Sequence, residues 1–259
     1  MKKLVSWLKR LSLENKLAFT GIVVTVAIAM VGATWAVVTR IIDKNLPVQT
    51  TLLASEFNEL PQPVYQNLSF CRGLVADENR QYRKAAKHYE QAAKEYELYG
   101  YDRAVALNRA GKAYFNVKRY NKAKNCFLEA QAIYIADSQE NEEELAQIYN
   151  NLGTINYYQG DYNKGLDYYK KAVQMRETIL GEDDPQTAST MKNLAVCYGA
   201  MGSYDESFSF YLKAYRVFLS KLGDDHPDTK NCLENLQGTY KASALSQSFD
   251  DWLAAQLAE

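Results

Sequence analysis

A pattern of small and aromatic residues recurs four times in this 259-residue chain. Each copy contains a small residue that we use as its index position: Gly73, Gly111, Gly153 and Ala195. Successive index positions are 38, 42 and 42 residues apart. Nine positions later each copy has a ring, which is predicted to begin the second helix of the pair: Tyr82, Tyr120, Tyr162 and Tyr204. A second small residue (Ala85, Ala123, Gly165, Ser207), a second ring (Tyr89, Phe127, Tyr169, Tyr211) and an alanine (Ala92, Ala130, Ala172, Ala214) complete it. A repeat of this length with two helical segments predicts a stacked helical solenoid. Gly160 and Gly202 mark two of the turns between paired helices, where glycine readily supplies a left-handed residue.

The repeat continues in a weaker form towards the carboxyl terminus. Gln237 indexes a fifth copy, another 42 positions on, and an apolar stripe follows at Phe249, Trp252, Leu253 and Leu257. Ser248 and Asp251 can cap the start of this last helix. Because a repeat array needs an atypical terminal unit, we expect a capping helix pair here. The alternative is a tail that engages another protein.

The order and spacing of these residues are similar to the tetratricopeptide repeat over residues 70–259. The third and fourth copies resemble the kinesin light chain subclass, through the stretches Tyr149–Gly153 and Met191–Ala195 and the loops Leu180–Pro185 and Leu222–Pro227. This resemblance implies an all-α solenoid of helical hairpins, wound as a right-handed superhelix. It also implies that the first helix of each pair lines an inner surface where peptides bind.

The amino-terminal part has the features of a membrane anchor. No charged residue lies between Lys16 and Arg40, and about 20 apolar residues suffice to cross a bilayer as a helix. Residues 17–39 are therefore predicted to be a transmembrane helix. Residues 1–16 are basic and amphipathic, which suits a helix on an anionic membrane surface.

The distribution of basic residues predicts the orientation of this anchor. Residues 1–44 hold seven Lys/Arg against two Asp/Glu, and most of the positive charge precedes the apolar run. The positive-inside rule then places the amino terminus in the cytoplasm and the repeats on the outer side, periplasmic or extracellular. A cleaved secretory signal is the runner-up interpretation, since Ala27-Ile28-Ala29 and Val31-Gly32-Ala33 resemble cleavage sites.

Little in the sequence predicts catalysis. The two histidines, His88 and His226, have no recognisable nucleophile or ligand partner, and the four cysteines have no metal-ligand spacing. The group around His226 is interpreted as a helix start, and the acidic run at 140–144 as a solvated helix start. Residues after position 44 carry a net charge of −6, from 23 Lys/Arg against 29 Asp/Glu, which argues against a general nucleic-acid role. We therefore predict no enzyme, metal site, cofactor or small-molecule substrate.

The candidate binding residues recur on the first helix of successive pairs. Equivalent places hold Arg109, Asn151, Asn193 and Asn235, preceded by polar residues that include Asn108, Asn150 and Lys192. Lys112 and Thr154 lie one turn onward on the same face. An asparagine amide offers donors and an acceptor, so it can pair with an extended peptide backbone. The resemblance also implies contacts from the asparagines to bound peptides. The alternative is that they only support helix packing or solvate the groove.

The sequence thus predicts four parts: a basic segment (1–16), a transmembrane helix (17–39), a linker that can hold a short capping helix (40–69) and a tetratricopeptide repeat domain (70–259). The repeat domain would comprise four repeats and the capping helix pair. The predicted function is a membrane-anchored scaffold or adaptor that binds a peptide or protein partner in its concave groove. The alternative is a membrane-tethered sensor whose ligand controls a separate effector.

Overall fold

The computed structural model describes residues 67–96, 100–137 and 141–258. In this part of the chain all regular structure is helical, and no strand occurs. The ten helices are α1 Leu68–Glu78, α2 Tyr82–Glu95, α3 Gly100–Asn116, α4 Tyr120–Ala136, α5 Glu142–Tyr158, α6 Tyr162–Ile179, α7 Pro185–Ala200, α8 Tyr204–Leu222, α9 Pro227–Ala242 and α10 Phe249–Ala258.

The chain divides into two compact units, residues 1–95 and 96–259. The described part of the first unit is the hairpin α1–α2, in which Asn67 caps α1 by accepting a hydrogen bond from Phe70 N at 2.8 Å. The second unit contains three further hairpins, α3–α4, α5–α6 and α7–α8, followed by α9 and α10. The prediction of an all-α solenoid built from helical hairpins is confirmed.

Close helix crossing explains the index glycines. In the third copy, a Cβ atom added to Gly153 would lie 2.7 Å from Cδ1 of Tyr169, the second ring of the same copy. A Cβ atom added to Gly111 would lie 2.5 Å from Cε1 of Phe127, the second ring of the second copy. Each second ring therefore packs directly on the backbone of the first helix, and the tyrosine and phenylalanine are almost completely buried.

Tight turns connect the two helices of each pair. Gly160 and Gly202 adopt φ angles of +81° and +78°, as the sequence predicts for these turns. In hairpin α3–α4 the equivalent residue is Lys118, which adopts φ 59°. A lysine thus takes a left-handed conformation that glycine takes in the next two hairpins.

The carboxyl-terminal helix α10 packs as a cap on the last repeats. Its Trp252 ring lies 4.9 Å from that of Phe208 and 5.0 Å from that of Tyr240. Ser248 Oγ accepts a hydrogen bond from Asp251 N at 3.2 Å, so these two residues cap the start of α10 as predicted. The predicted stripe is only partly covered, because Leu257 stays 38% exposed.

The predicted membrane segment, residues 17–39, lies outside the described residues. Within the described ranges, no helix combines the length and apolar character that crossing a bilayer requires. The segments 1–16 and 40–66 also lie outside the described part. The first described helix begins at Leu68, two residues before the predicted start of the repeat domain at 70.

Candidate partner-binding surface

Four of the predicted asparagines are joined in pairs across neighbouring first helices. Asn151 Nδ2 on α5 donates to Asn108 Oδ1 on α3 at 3.2 Å. Asn193 Nδ2 on α7 donates to Asn150 Oδ1 on α5 at 3.0 Å. All four side chains are half-buried. We call this set, Asn108, Asn150, Asn151 and Asn193, the amide ladder, and it shows that the first helices line up side by side.

The ladder changes between α7 and α9. Lys192 stands at the position that Asn150 has in the preceding copy, and its Nζ donates to Asn231 Oδ1 at 2.9 Å. Asn235 donates to the same acceptor at 3.3 Å, within its own helix. Lys192 and Asn235 are therefore brought together through Asn231. Asn231 was not among the predicted residues, although it lies one helical turn before Asn235 and so shares its face.

The hydroxyl of Thr154 is bonded within the fold, although this residue was predicted to contact a partner. Its Oγ1 donates to the backbone carbonyl of Asn150 at 3.0 Å and accepts from the Tyr169 hydroxyl at 3.0 Å. Burial raises the pKa of Tyr169, so this hydroxyl keeps its proton and stays a donor. Thr154 thus links the amide ladder to the ring that packs on Gly153.

Arg109 and Lys112 lie on α3, on the same helix as Asn108. Arg109 is half-buried, whereas Lys112 is exposed. Because Lys112 lies three residues after Arg109, the two side chains share a face of the helix. They place positive charge beside the first step of the amide ladder.

Aromatic residues lie at the carboxyl ends of α3 and α5, beyond the ladder. The Tyr158 ring stacks on that of Tyr120 at a centroid distance of 5.7 Å and meets Phe115 edge-on at 5.3 Å. Tyr157 lies 5.4 Å from Tyr158. Because Tyr158 is 55% exposed, this cluster presents an aromatic surface to solvent.

The acidic first turn of α5 is not the solvated helix start that the sequence suggested. Glu144 Oε1 accepts a hydrogen bond from the Tyr101 hydroxyl at 2.7 Å, and Glu143 Oε1 accepts from Arg176 Nη2 at 3.0 Å. Arg176 is almost fully buried and also donates to Thr190 Oγ1 at 2.8 Å. These carboxylates therefore join α5 to α3 and to α6. Only Glu142 of this turn is exposed.

The other chemical groups serve the helix ends and the core. His226 Nδ1 accepts from Asp228 N at 3.2 Å and caps α9, while Asp184 accepts from Gln186 N at 2.7 Å and caps α7. Asp225 pairs with Lys230 at 2.8 Å. Among the residues that the structure describes, no three His, Cys, Asp or Glu side chains are grouped to hold a metal ion.

Several solved structures have a similar fold. The chain superposes on BtubC (BKLC) from P. vanneervenii with a TM-score of 0.64 and 20% identity, over 90% of this chain and 85% of that one. For a putative kinesin light chain from Podosopora anserina with nearly identical TPR-like repeats, the TM-score is 0.61 at 16% identity, over 77% and 96%. The apo form of RapI gives 0.58 at 15% identity, over 75% of this chain and 53% of RapI. These likenesses concern the fold.

Sequence comparison identifies the repeats themselves. Models of the tetratricopeptide repeat match residues 104–134 and, in overlapping stretches, residues 144–220 and 193–245, which together span about half of the chain. No curated protein sequence matches this chain. The matched segments coincide with hairpins α3–α4, α5–α6 and α7–α8 and with α9. The chain therefore belongs to the tetratricopeptide repeat family.

Proposed function

We propose that this protein is a membrane-anchored, non-catalytic scaffold or adaptor. Its tetratricopeptide array, a right-handed superhelix of four repeats, would bind a peptide or protein partner along the concave groove formed by the first helices. The amide ladder is the observation that carries this proposal. It places half-buried amides on three successive first helices, α3, α5 and α7.

The chemistry of the ladder suits a peptide backbone. An asparagine side chain has two N–H donors and one carbonyl acceptor. Asn151 and Asn193 each use one N–H on the neighbouring helix. Each keeps one N–H and its carbonyl, which are the groups that pair with a backbone amide. Because the neighbouring asparagine already fixes the side chain, less rotamer entropy is lost on binding.

The spacing of the ladder suits an extended partner. Packed helices lie about 8–10 Å apart, and an extended chain rises about 3.3 Å per residue. A segment that crosses the first helices would thus meet one asparagine pair roughly every three residues. We infer a partner segment that is extended rather than helical.

The charges of the groove indicate the side chains of that partner. Arg109 and Lys112 favour acidic side chains or a free carboxylate beside α3. Lys192 already donates to Asn231. It would add positive charge near α7 without being the main contact. The aromatic residues Phe115 and Tyr157 can add apolar contacts.

The membrane part of the proposal rests on the charge-free run between Lys16 and Arg40. The amino terminus would lie in the cytoplasm and the repeats on the outer side. Retention of the chain in membranes after alkaline extraction tests the anchor. A reporter fused after Glu259 tests the orientation, and activity only in the cytoplasm would contradict the outward placement.

The groove is tested by replacing Asn151 and Asn193 with alanine. Crosslinking in native membranes, followed by mass spectrometry, first identifies the partner of the wild-type chain. The double variant should lose this crosslink while its helicity by circular dichroism stays unchanged. The control is Asn125→Ala with Asn163→Ala, since both asparagines are exposed on second helices. Undiminished crosslinking of the Asn151/Asn193 variant would rule out the groove as the binding site.

A further inference from the structure

Positive charge in the second unit is concentrated in one hairpin. Residues 103–128 contain seven Lys/Arg and no Asp/Glu, whereas residues 129–259 contain 10 Lys/Arg and 21 Asp/Glu. Hairpin α3–α4 is therefore a basic element beside a strongly acidic remainder. Arg103 and Lys124 are engaged, with Glu129 at 3.5 Å and Asn156 at 2.8 Å, respectively.

The exposed part of this charge lies at the turn between α3 and α4. Lys118, Arg119 and Lys122 are all exposed, and none of them forms an ion pair with any described residue. Lys122 Nζ lies 5.1 Å from the centre of the Tyr114 ring. The stacked rings of Tyr120 and Tyr158 adjoin this turn. We call the set of Lys118, Arg119, Tyr120, Lys122 and Tyr158 the basic-aromatic tip.

The turn within the tip holds Lys118 in a conformation that glycine adopts more readily. Lys118 adopts φ 59°, in the left-handed region that disfavours residues with a Cβ atom. Gly160 and Gly202 occupy the same place in the next two hairpins. A glycine would fit this turn without strain, so the fold does not require the lysine.

We propose that the basic-aromatic tip binds the anionic headgroups of a phospholipid bilayer. Clustered lysine and arginine residues bind anionic membrane surfaces, and tyrosine favours the interface between headgroups and water. The tip lies at the end of a hairpin, where Asn116 and Asn121 are also exposed. It therefore offers an outward surface rather than walls around a peptide. This favours a bilayer over an acidic protein segment.

This inference rests on the proposed membrane anchor. An anchor would confine the tip near a bilayer, so that a weak attraction by a few charges suffices to hold the repeats against it. Attraction of this kind is screened at high salt, because the Debye length falls to about 3 Å at 1 M.

The test uses the full chain, reconstituted into vesicles of phosphatidylcholine alone or of phosphatidylcholine with phosphatidylglycerol. Hydrogen–deuterium exchange of the amides of residues 116–122 reports contact at the tip. We expect slower exchange in the anionic vesicles at low salt and no difference between vesicles in 1 M salt. Equal exchange in the two kinds of vesicle at low salt would overturn the proposal.

Variants separate the tip from general charge effects. Lys118→Gly with Arg119→Gln and Lys122→Gln should weaken the contact about a hundredfold, given the attraction expected for each basic residue. The matched control removes three exposed lysines elsewhere, by Lys170→Gln, Lys171→Gln and Lys213→Gln, and should keep the lipid-dependent protection. Loss of protection in the control as well would contradict a local site.

Two further measurements distinguish a lipid partner from a protein partner, and failure of the tip from failure of the anchor. Poly-glutamate is added to the chain in neutral vesicles, and protection by this polymer without protection by anionic lipid would assign the tip to an acidic protein partner. Alkaline extraction of the same vesicles tests the anchor independently. If the chain is extracted, the anchor fails, and sedimentation of the soluble chain with anionic or neutral vesicles still tests the tip. Binding without preference for anionic lipid would overturn it.

Discussion

The guanidinium of Arg176 lies 3.0 Å from the carboxylate of Glu143, although the two residues are 33 positions apart. The arginine is almost fully buried, and the glutamate side chain is about one-third exposed. Through Thr190 and the carbonyl of Gln186, the same guanidinium also reaches α7. One side chain therefore ties the hairpin α5–α6 to the next repeat.

Removing the carboxylate should cost more than replacing the arginine. Glu143→Ala leaves a buried charge without its partner, and we expect a loss of roughly 2 kcal/mol in the free energy of unfolding. Arg176→Phe removes the charge and supplies the residue that Phe218 provides at the same place in the next copy, so its effect should stay within about 1 kcal/mol. Urea unfolding measures the loss of stability in both variants. A larger loss for Arg176→Phe than for Glu143→Ala would contradict the role of Glu143 as the partner of a buried charge.

Alanine should have opposite effects at two helical glycines. Gly153→Ala places a Cβ atom 2.7 Å from the Tyr169 ring, so overpacking should destabilise the fold by about 1–3 kcal/mol. At Gly238 the added Cβ meets nothing within 4 Å, and the better helix propensity of alanine should stabilise by about 0.5–1 kcal/mol. Thermal unfolding measures the change in Tm for both variants. Equal changes in Tm would refute steric packing as the reason for a glycine at position 153.

Exchange of residues between two turns should reveal the strain at Lys118. Lys118→Gly relieves a left-handed lysine and should stabilise the fold by about 0.5–1 kcal/mol. Gly160→Lys creates the same strain at φ +81°, with no neighbouring atom to interfere, and should destabilise by about 1–2 kcal/mol. Urea midpoints of the two single variants give the comparison. A destabilised Lys118→Gly variant would show that the lysine serves the fold.

The buried thiols should make the fold less stable in alkali. Burial raises the pKa of the Cys197 thiol to about 11 and that of the Cys232 thiol to about 12, well above the ordinary range of a cysteine. As the pH rises from 9 to 10, the unfolded chain loses thiol protons that the folded chain keeps. The free energy of unfolding should therefore fall, by up to about 1.4 kcal/mol per pH unit for each thiol. The contribution of a buried thiol is fully present below the pKa that it has in the unfolded chain.

The measurement is urea unfolding at pH 8, 9 and 10. The variant Cys197→Ala with Cys232→Ala should show a smaller fall over this window than the wild-type chain, whatever its stability at pH 8. Ionisation of tyrosine side chains contributes to the fall in both proteins, so the difference between the two reports the thiols. An identical fall in the two proteins would exclude the thiols as its cause.

The sequence was sufficient for the features that repeat. Tyr120, Tyr162 and Tyr204 are the first residues of α4, α6 and α8, as the spacing predicts. Gly160 and Gly202 supply left-handed turns because glycine is the residue best suited to them. These features depend on local conformation and on periodic packing, both of which a single sequence expresses.

Features that depend on one particular tertiary contact were not predictable. The acidic turn at Glu143 and Glu144 looked solvated because its partners, Arg176 and Tyr101, are far away in the sequence. Lys118 gave no sign of a left-handed turn, since the turn is imposed by the hairpin and not by the lysine. The asparagines were predicted as surface amides, yet their pairing depends on side-chain geometry that repetition alone does not fix.

The pairing of these asparagines also gives the groove a polarity. In both cross-helix bonds the donor belongs to the later repeat and the acceptor to the earlier one. The amide groups left for a ligand are therefore presented in the same sense at each step. A chain bound at the proposed groove and its reversed sequence would not meet equivalent hydrogen-bonding groups, so binding there would depend on the direction in which the partner lies.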